Sequence, residues 1–529
     1  MSSRRPDVRE AEGYPRRWAA LVVLCASVLI VNVDNTILNV ALPTLVRTLH
    51  ATSSQLQWIV DSYATVFAGL LLVGGSLADR FGRKRFLLGG LTVFVTGSVG
   101  AAFCGSVNVL IGWRAVMGAG AALTMPSTLS IINDIFRDPT ERARAIGAWA
   151  GTSGLGIAIG PIAGGLLLTR FWWGSVFLVN VPIVIAGLVG ALMLVPDSKK
   201  PFANAPDPVG AVLSIAGLGL LLWAIIEAPS RGWTSTAIVA VGAASVTVIA
   251  IFARWESRSR TPMMPLSFFA DARFSIAAGG EMLGVFGLFG ALFIQTQFLQ
   301  FDLGYSALQA GLRILPIAAV LAVSAPLSPL IAHRVGAKWT VGAGLLAIAG
   351  GLWQISLASA VGTTYTQVLP GMLLIGLGAG LLMPTATNSV VGSVPRGDAG
   401  VGSATNGVAI QVGGALGVAV LGSLMSTRYQ DHLTGVLAGH TMPAAASHAI
   451  LGSLGGALTV ANAVGGTTGA LLAHAARAAF MSGSALALGI GSGIAVVGAL
   501  LVFALLPSGV SGRRAARPGE THRPTHAAR

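Results

Sequence analysis

Three acidic residues lie inside stretches of sequence that are otherwise almost entirely apolar. Asp34 lies in VNVDNTILNVALP, Asp61 in WIVDSYA and Glu281 in FSIAAGGEMLGVFG. An ionised carboxylate in apolar surroundings costs several kcal/mol, so burial favours the protonated form. Such a carboxyl group can hold a proton or, once ionised, a cation, but it cannot hold both at once. These residues therefore predict chemistry in which protons are exchanged for a cation.

Each acid also has a plainer interpretation. Asp34 could form a permanent ion pair with Arg114, which is expected at a similar depth in the fourth helix, although such a pair could also break when the helices move. Asp61 could be a hydrated residue near a helix end, and Glu281 could reach water at the nearer membrane surface. Ionisable residues inside membrane helices are nevertheless functional candidates, because those facing hydrocarbon are too costly. We take Asp34, Asp61, Glu281 and Arg114 as the candidate coupling residues.

The apolar character extends along all 529 residues. Hydrophobic residues make up 54% of the chain, charged residues 10%, and the mean hydropathy is +0.76. Soluble domains carry roughly 25% charged residues. Apolar runs of about 20 residues recur throughout, and they do not alternate with polar residues as in an outer-membrane barrel. The composition predicts an all-α integral membrane protein.

Fourteen of these runs are predicted to be transmembrane helices. The approximate spans are 18–41, 57–77, 86–106, 108–132, 144–168, 174–195, 208–228, 236–254, 274–300, 306–330, 339–358, 364–388, 400–424 and 483–505. The long segment 425–482 is apolar but rich in Gly and Thr, and it could form a further span. The basic C-terminal tail would then lie outside, against the rule that Lys and Arg mark cytoplasmic segments, so an amphipathic or re-entrant outer loop is preferred. The first run is too long for a signal-peptide core and no small-residue cleavage site follows it, so we expect an uncleaved helix.

Basic residues fall mainly on one side of the predicted spans. Twenty-six of the 33 Lys and Arg residues lie on the side of both termini and five on the other, while Arg114 and Arg313 lie within spans. Because Lys and Arg mark cytoplasmic loops, both termini are predicted to be cytoplasmic and the chain to lie in the cytoplasmic (inner) cell membrane. The net charge of +14 reflects this distribution and does not indicate nucleic-acid binding.

Two loops of the chain match each other at an offset of 254 residues. ADRFGRK (78–84) follows the second span and AHRVGAK (332–338) follows the tenth, and the same offset carries the first span onto the ninth. The chain thus divides into an N-terminal six-helix bundle (1–200), two inserted linker helices (201–258) and a C-terminal six-helix bundle (259–529). Repeated halves with a site between them are a signature of secondary transporters.

The first of these loops, in GGSLADRFGRKR (74–85), combines glycines with charged residues. Its glycines allow close packing and a tight turn. Its aspartate can pair with an arginine or cap a neighbouring helix, and its basic residues can contact anionic lipids. We predict a gating loop formed by Gly74, Gly75, Asp79, Arg80, Gly82, Arg83 and Lys84.

The fifth span contains a repeated glycine pattern in GLGIAIGPIAGG (154–165). Gly156, Gly160 and Gly164 share one helical face, where small residues let another helix approach closely. Pro161 removes one backbone hydrogen bond and kinks the helix. This pattern predicts a seal at the interface between the two bundles, with simple tight packing as the alternative.

Taken in order, these motifs resemble those of the major facilitator superfamily, and within it the fourteen-span drug:proton antiporters. The loop motif between the second and third helices is similar to GGSLADRFGRKR, the first-helix motif to DNTILNVALP, the fourth-helix motif to RAVMGAGAA and the fifth-helix antiporter motif to GLGIAIGPIAGG. LGYSALQAGLR also resembles the family, and WIVDSYA is similar to exporters of quaternary ammonium compounds. Two features depart from the pattern: His333 replaces the loop aspartate in the second half, and the thirteenth span lacks the proline.

The resemblance implies a major facilitator fold and a monomeric, proton-driven exporter of lipophilic cations that works by alternating access. Its partners would be lipophilic small molecules, protons and membrane lipids, with no cofactor beyond the proton gradient. Export of a neutral or anionic metabolite, such as an antibiotic, remains an alternative, and a non-transporting membrane sensor is a further one. The sequence has no GxxxxGK[ST] phosphate loop, hydrolytic site or metal-ligand spacing, so neither an enzyme nor a metal site is expected.

Overall fold

A computed structural model describes residues 14–198, 206–259, 262–395, 399–438 and 442–507 of the chain. Within these ranges all regular secondary structure is helical, which confirms the predicted all-α class. Part of the basic charge that was assigned to the side of the termini lies outside the described residues. This part comprises the tails 1–13 and 508–529 together with Lys199, Lys200, Arg260 and Arg396.

Besides a short 3₁₀ helix at Leu266–Ala270, the described residues form sixteen α-helices, numbered here in chain order. They are α1 (Arg17–Leu49), α2 (Ser53–Phe81), α3 (Arg83–Ala102), α4 (Val107–Ile135), α5 (Pro139–Arg170), α6 (Ser175–Leu194), α7 (Pro208–Arg231), α8 (Thr236–Arg258), α9 (Ala272–Asp302), α10 (Ala307–Val335), α11 (Ala337–Ala358), α12 (Tyr365–Ser393), α13 (Ala399–Leu437), α14 (Ala444–Gly452), α15 (Leu454–Val464) and α16 (Gly466–Leu505). The last turn of α9, Phe298–Asp302, is π-helical.

Fourteen of these helices, all except α14 and α15, are long and apolar enough to cross a membrane. The predicted number of spans is therefore confirmed. Several helices run one or two turns beyond the predicted limits because their capping residues lie outside the apolar run. Thr52, for example, forms a capping box at the start of α2, which begins at Ser53 rather than at the predicted residue 57.

The length of α1 corrects one expectation about depth. The predicted span ended at residue 41, which placed Asp34 in the outer half of the helix. In the structure α1 continues through Pro43 to Leu49, so Asp34 lies at its middle. A proline is tolerated inside a membrane helix because neighbouring groups can satisfy the backbone carbonyl that it leaves free.

The segment 425–482 is not the loop that was expected. Helix α13 continues to Leu437, and α16 already begins at Gly466 rather than at residue 483. The short helices α14 and α15 lie between them, and neither approaches the roughly 20 residues needed to cross a bilayer. Gly455 of α15 lies against Val46 and Phe301. The segment therefore covers the face of the bundle that is opposite to both chain ends.

Two sets of helices pack against each other. Helices α1–α6 form the first set, and α9–α13 with α16 form the second; the sets meet where α2 contacts α13 and where α5 contacts α10. Helix α7 lies in the groove between α2 and α13, and α8 packs on α7. The inserted pair thus bridges both sets from the outside.

Hydrogen bonds between the two sets lie towards the face opposite to the chain ends. The Ser423 hydroxyl donates to Gln57 Oε1 over 3.1 Å, and Gln300 Nε2 donates to the Val40 carbonyl over 2.9 Å. Gln300 belongs to the π-helical turn of α9, a feature that often marks functional sites. These two amide side chains tie the sets together on that face.

Candidate transport site

Asp34 and Arg114 form a fully buried ion pair between α1 and α4. Arg114 Nη1 lies 2.5 Å from Asp34 Oδ2, and neither side chain has any exposed surface. The other carboxylate oxygen, Oδ1, accepts a 2.9 Å hydrogen bond from Asn180 Nδ2 of α6. Asn180 also donates to the Ser98 hydroxyl of α3 over 3.0 Å. Four helices of the first set are therefore joined through one carboxylate.

Helix α2 completes the surroundings of Arg114. Arg114 Nε donates to the Ile59 carbonyl over 3.0 Å, and its guanidinium group lies 4.4 Å from the centre of the Tyr63 ring. Cation–π contacts of this kind stabilise a buried guanidinium. In this conformation the positive charge of Arg114 balances the negative charge of Asp34, so the pair carries no net charge.

Asp61 lies on the other side of α2 from this pair. Residues two positions apart on an α-helix point about 200° apart, and Ile59 and Tyr63, which contact Arg114, are two positions before and after Asp61. The structure therefore does not bring Asp61 together with Asp34 and Arg114. Pairing of Arg114 with Asp61 would require a large rotation of α2.

The Asp61 carboxyl group is buried without a partner. Its side chain has no exposed surface, and neither carboxylate oxygen has a hydrogen-bond partner. Asp61 lies two turns inside α2, which begins at Ser53. The interpretation of Asp61 as a hydrated helix-end residue is therefore wrong, because α2 extends beyond the predicted start of the span.

The strip of α2 that carries Asp61 faces α13 and the inserted helix α7. Trp58 and Ala64, three residues before and after Asp61, belong to an apolar cluster with Leu222 of α7 and Ala419 of α13. Side chains three or four residues apart share a helical face, so Asp61 lies on this same strip. Its surroundings are apolar and aromatic, at a junction of both sets with the inserted pair.

Glu281 of α9 is the buried acid of the second set. Its side chain has no exposed surface, and its Oε1 accepts a 2.9 Å hydrogen bond from the Thr387 hydroxyl of α12. Asn406 Nδ2 of α13 donates in turn to the Thr387 hydroxyl oxygen over 3.3 Å. The alternative in which Glu281 reaches water at the membrane surface does not apply in this conformation, because the carboxyl group turns into the helix bundle.

The residues of the predicted gating loop contact only the first set in the hydrogen bonds and ion pairs seen among the described residues. Arg83 Nε lies 2.7 Å from Asp79 Oδ1, and Arg83 Nη1 donates to the Ser130 carbonyl over 3.2 Å. Lys84 Nζ donates to the Leu192 carbonyl over 2.9 Å. Gly82 has a φ of +117°, a backbone conformation that side chains with a Cβ rarely adopt.

The remaining loop glycines and basic residues take separate positions. Gly74 lies directly against the backbone of Ala122 in α4, and a Cβ on Gly75 would lie 3.4 Å from Pro126. The Arg80 guanidinium lies 5.5 Å from the centre of the Phe81 ring. The two glycines thus permit the close packing of α2 on α4 that the sequence suggested.

The glycines of the fifth span face α1 rather than the second set. A Cβ on Gly156, Gly160 or Gly164 would collide with residues 32–37 of α1. The Thr36 hydroxyl also donates to the Gly156 carbonyl over 3.0 Å. Close packing within the first set is therefore their observed role.

The contact with the second set comes instead from Pro161 and its surroundings. The Pro161 carbonyl lies directly against Gly311 of α10. A small cavity between α1, α5, α9 and α10 is lined by Pro161 together with Thr36, Asn39, Leu288 and Ile314. Asp34, Asp61 and Glu281 do not line this cavity.

Sequence reasoning missed the polar partners of the acids. Asn180 donates a hydrogen bond to Asp34 and another to Ser98. Thr387 donates to Glu281, and Asn406 donates to Thr387. Asn180 stands alone in the apolar run FLVNVPI, and this was a signal that could have been used. The other three are common in membrane helices and carry no distinctive pattern. No cluster of three or more His, Cys, Asp or Glu residues that could hold a metal occurs in the part of the chain that the structure describes.

The fold and the buried acids together define a multi-pass membrane transporter, with two sets of six helices, an inserted pair and ionisable groups inside the membrane region. The chain belongs to the Major Facilitator Superfamily: the model of that family matches residues 24–418. This confirms the resemblance drawn from the motifs. The chain is a transporter of this family rather than an enzyme.

Relatives with assigned names are also transport proteins. The chain is 38% identical over 489 residues to the multidrug efflux pump LfrA of Mycolicibacterium smegmatis, covering 92% of this chain and 95% of the relative. It is 33% identical to the tetracenomycin C resistance and export protein of Streptomyces glaucescens, and the match covers 92% of this chain and 91% of that relative. Among solved structures, a bacterial homologue of the human lysosomal transporter Spinster, inward-facing and unoccupied, aligns with a TM-score of 0.64 over 93% of this chain and 98% of that chain. At 17% identity that match supports the fold alone.

Proposed function

We propose that this protein exports lipophilic small molecules, cations among them, in exchange for protons. The relatives named for multidrug efflux and for antibiotic export support the substrate class. The observation that carries proton exchange is the Asp61 carboxyl group, which is fully buried and has no hydrogen-bond partner. An ionised carboxylate in that position would cost several kcal/mol, so Asp61 holds a proton in this conformation and releases it when the junction around it opens.

The three acids take different roles in this proposal. Asp34 is neutralised by Arg114 and is held by Asn180, so the pair positions four helices of the first set. Asp61 is the proton carrier of the first set. Glu281, with one carboxylate oxygen free of hydrogen bonds, is the acidic site of the second set.

The surroundings of Asp61 suit a lipophilic cation once the carboxyl group has lost its proton. Trp58 supplies an aromatic ring near the carboxylate, and α7 and α13 supply aliphatic side chains. A carboxylate and an aromatic face both attract a cation, while apolar walls with few directional contacts accept different molecular shapes. One carboxylate that binds either a proton or a cation would link their opposite movements.

Alternating access follows from the position of the contacts between the sets. We infer that residues 1–200 and 259–529 move as two bundles joined by the inserted helices 201–258. The Gln57–Ser423 and Gln300–Val40 bonds must break for the face opposite to the chain ends to open. The Asp79–Arg83 loop would then contact the second bundle, and the Pro161–Gly311 contact would act as the seal.

Orientation and location are part of the proposal. The excess of Lys and Arg on the side of the chain ends supports a cytoplasmic location for that side. We therefore place the chain in the inner cell membrane with both termini cytoplasmic, working as a monomer among lipids that contact its basic loops.

Inside-out membrane vesicles test the proposal directly. The vesicles are acidified inside by respiration and loaded with a pH-sensitive dye, and a lipophilic cation is then added outside. Recovery of dye fluorescence in the wild type, and its loss in Asp61→Asn, would support cation–proton exchange through Asp61. Glu227→Gln serves as the control, because Glu227 forms only an exposed ion pair with Arg231 on the inserted helices. Retained exchange in Asp61→Asn would exclude Asp61 as the carrier.

Export of a neutral or anionic antibiotic is the second candidate. It is favoured by the neutral Asp34–Arg114 pair, which leaves the centre of the first set without net charge. In the same vesicles, this candidate predicts no dye recovery with any cation and recovery with an uncharged or anionic compound. Dye recovery with cations alone would exclude it.

A further inference from the structure

The second set contains a group of polar side chains that proton exchange at Asp61 does not use. Glu281 of α9, Thr387 of α12 and Asn406 of α13 form a chain in which the amide of Asn406 donates to the Thr387 hydroxyl, and this hydroxyl donates to Glu281 Oε1. This series of hydrogen bonds therefore ends on the Glu281 carboxyl group. Three different helices contribute one residue each.

Two oxygen atoms of this group have no partner. Glu281 Oε2 and Asn406 Oδ1 are both buried and accept no hydrogen bond. Buried polar atoms are rarely left unpaired, and both vacant atoms here are acceptors. What would satisfy them is a positive charge or a hydrogen-bond donor placed between them.

The site is closed to a drug-sized molecule in this conformation, because two of its three side chains are buried. The Glu281 side chain has no exposed surface and Asn406 has 2%. Thr387 is partly exposed and offers a route to the site from the side of the chain ends. With a rise of about 1.5 Å per residue, the three residues lie roughly 9–14 Å from those ends of their helices.

The chemistry of the three side chains limits which ion could bind. Carboxylate, amide and hydroxyl oxygens are ligands for hard cations. A single carboxylate balances one positive charge, which favours a monovalent ion over Mg²⁺ or Ca²⁺. Sodium can be bound by Glu281 Oε2 and Asn406 Oδ1 together with the Thr387 hydroxyl oxygen. A proton on Glu281 Oε2 that donates to Asn406 Oδ1 is the competing occupant, and the sodium-binding experiment below separates the two.

We propose that Glu281, Thr387 and Asn406 form a sodium site in the second set of helices. The proposal rests on the transport function above and adds to it a second ion, bound apart from Asp61. Sodium bound there would hold α9, α12 and α13 together.

Sodium binding to the purified full-length chain provides the test. The midpoint of thermal unfolding is measured while sodium chloride replaces choline chloride at constant ionic strength, and ²²Na⁺ binding is measured in parallel. We expect a rise of about 2 °C once sodium exceeds its Kd about a hundredfold, since a ligand that binds only the folded state stabilises it. Potassium is expected to give a smaller rise.

Substitutions assign the effect to these residues. Thr387→Val and Glu281→Gln should abolish both the sodium-dependent rise and ²²Na⁺ binding. Thr385→Val is the matched control, because Thr385 is a buried hydroxyl of the same helix that bonds to Ser328 outside the site; its sodium response should equal that of the wild type. No ²²Na⁺ binding in the wild type, or unchanged binding in Thr387→Val, would overturn the sodium site.

A further experiment distinguishes failure of the sodium site from failure of proton exchange at Asp61. Drug–proton exchange in vesicles is repeated in sodium-free choline medium. If exchange persists there while no sodium binding is found, the sodium site is wrong and the exchange function stands. If sodium binds but Asp61→Asn still exchanges protons, the role of Asp61 is wrong and the sodium site stands.

Discussion

The buried Asp34–Arg114 pair allows a prediction whose size follows from its geometry. The two side chains have no exposed surface and approach to 2.5 Å. Removing one member of such a pair leaves the other charge buried and uncompensated, at a cost of about 3–5 kcal/mol. Asp34→Asn keeps the shape of the side chain while removing its charge, so we expect this full cost.

The expected shift in melting temperature can be worked out from the chain length. Unfolding entropy is about 2.1 cal/mol/K per residue, or roughly 1 kcal/mol/K for a chain of this size. A loss of about 3–5 kcal/mol then lowers the melting temperature by about 3–5 °C. The measurement is intrinsic-fluorescence thermal unfolding of the detergent-purified protein. Glu227→Gln breaks an ion pair whose arginine, Arg231, is 52% exposed, so it should change the melting temperature by less than about 1 °C.

The double variant Asp34→Asn/Arg114→Gln separates positioning from proton carriage. Because it removes both charges, it should regain at least half of the stability lost by Asp34→Asn. If the pair only positions helices, the double variant should also regain drug–proton exchange in vesicles. An unchanged melting temperature in Asp34→Asn, or additive losses in the double variant, would refute the reasoning that the two charges are buried against each other.

Three further predictions concern single residues. Asp61→Asn should melt at about the wild-type temperature, because it exchanges one neutral, unpartnered buried group for another of the same shape, yet it should lose proton exchange; a large loss of stability would mean that Asp61 has a partner in the folded protein. Gly160→Ala should destabilise by about 1–3 kcal/mol, seen as a lower melting temperature, because its Cβ would lie 2.9 Å from the Ile37 backbone nitrogen, whereas Gly154→Ala, with nothing within 4 Å, should not. Glu256 of α8 is buried beside Asp207, and its Oε1 has no hydrogen-bond partner. Glu256→Gln should raise the melting temperature by about 1 °C, since the new amide can donate to the Asp207 carboxylate; a fall would show that the charge of Glu256 is needed.

The sequence was sufficient for features that depend on local composition. Each membrane span is an uninterrupted apolar run, and hydrophobicity along about 20 residues determines whether a helix can cross a bilayer. The charge bias of the loops and the repeated ADRFGRK pattern could likewise be identified from short stretches of sequence. The same reasoning identified Asp34, Asp61 and Glu281, since a carboxylate in an apolar run stands out without any knowledge of its neighbours.

Helix ends were less predictable than helix cores. The segment 425–482 was expected to be a loop because its Gly and Thr content lowers hydrophobicity, but helices α13 and α16 extend far into it. In α1, the predicted span ended at residue 41, but the helix continues through Pro43 to Leu49. In both places tertiary packing supplies what the local sequence lacks, because helices outside the apolar region are stabilised by contacts with neighbouring helices.

The state of each acid was decided only by the tertiary structure. Asp34 and Asp61 belong to similar apolar runs, yet one is paired and the other is not. Asp34 meets Arg114 and Asn180, which lie 80 and 146 residues away in the chain, whereas Asp61 is on the side of α2 that faces apolar residues of α7 and α13. By itself the sequence determined the fourteen spans and which residues within them are ionisable. Which charges meet depends on the rotation and packing of helices distant in sequence, and so only the folded chain distinguishes a neutralised pair from a carboxyl group left free to exchange its proton.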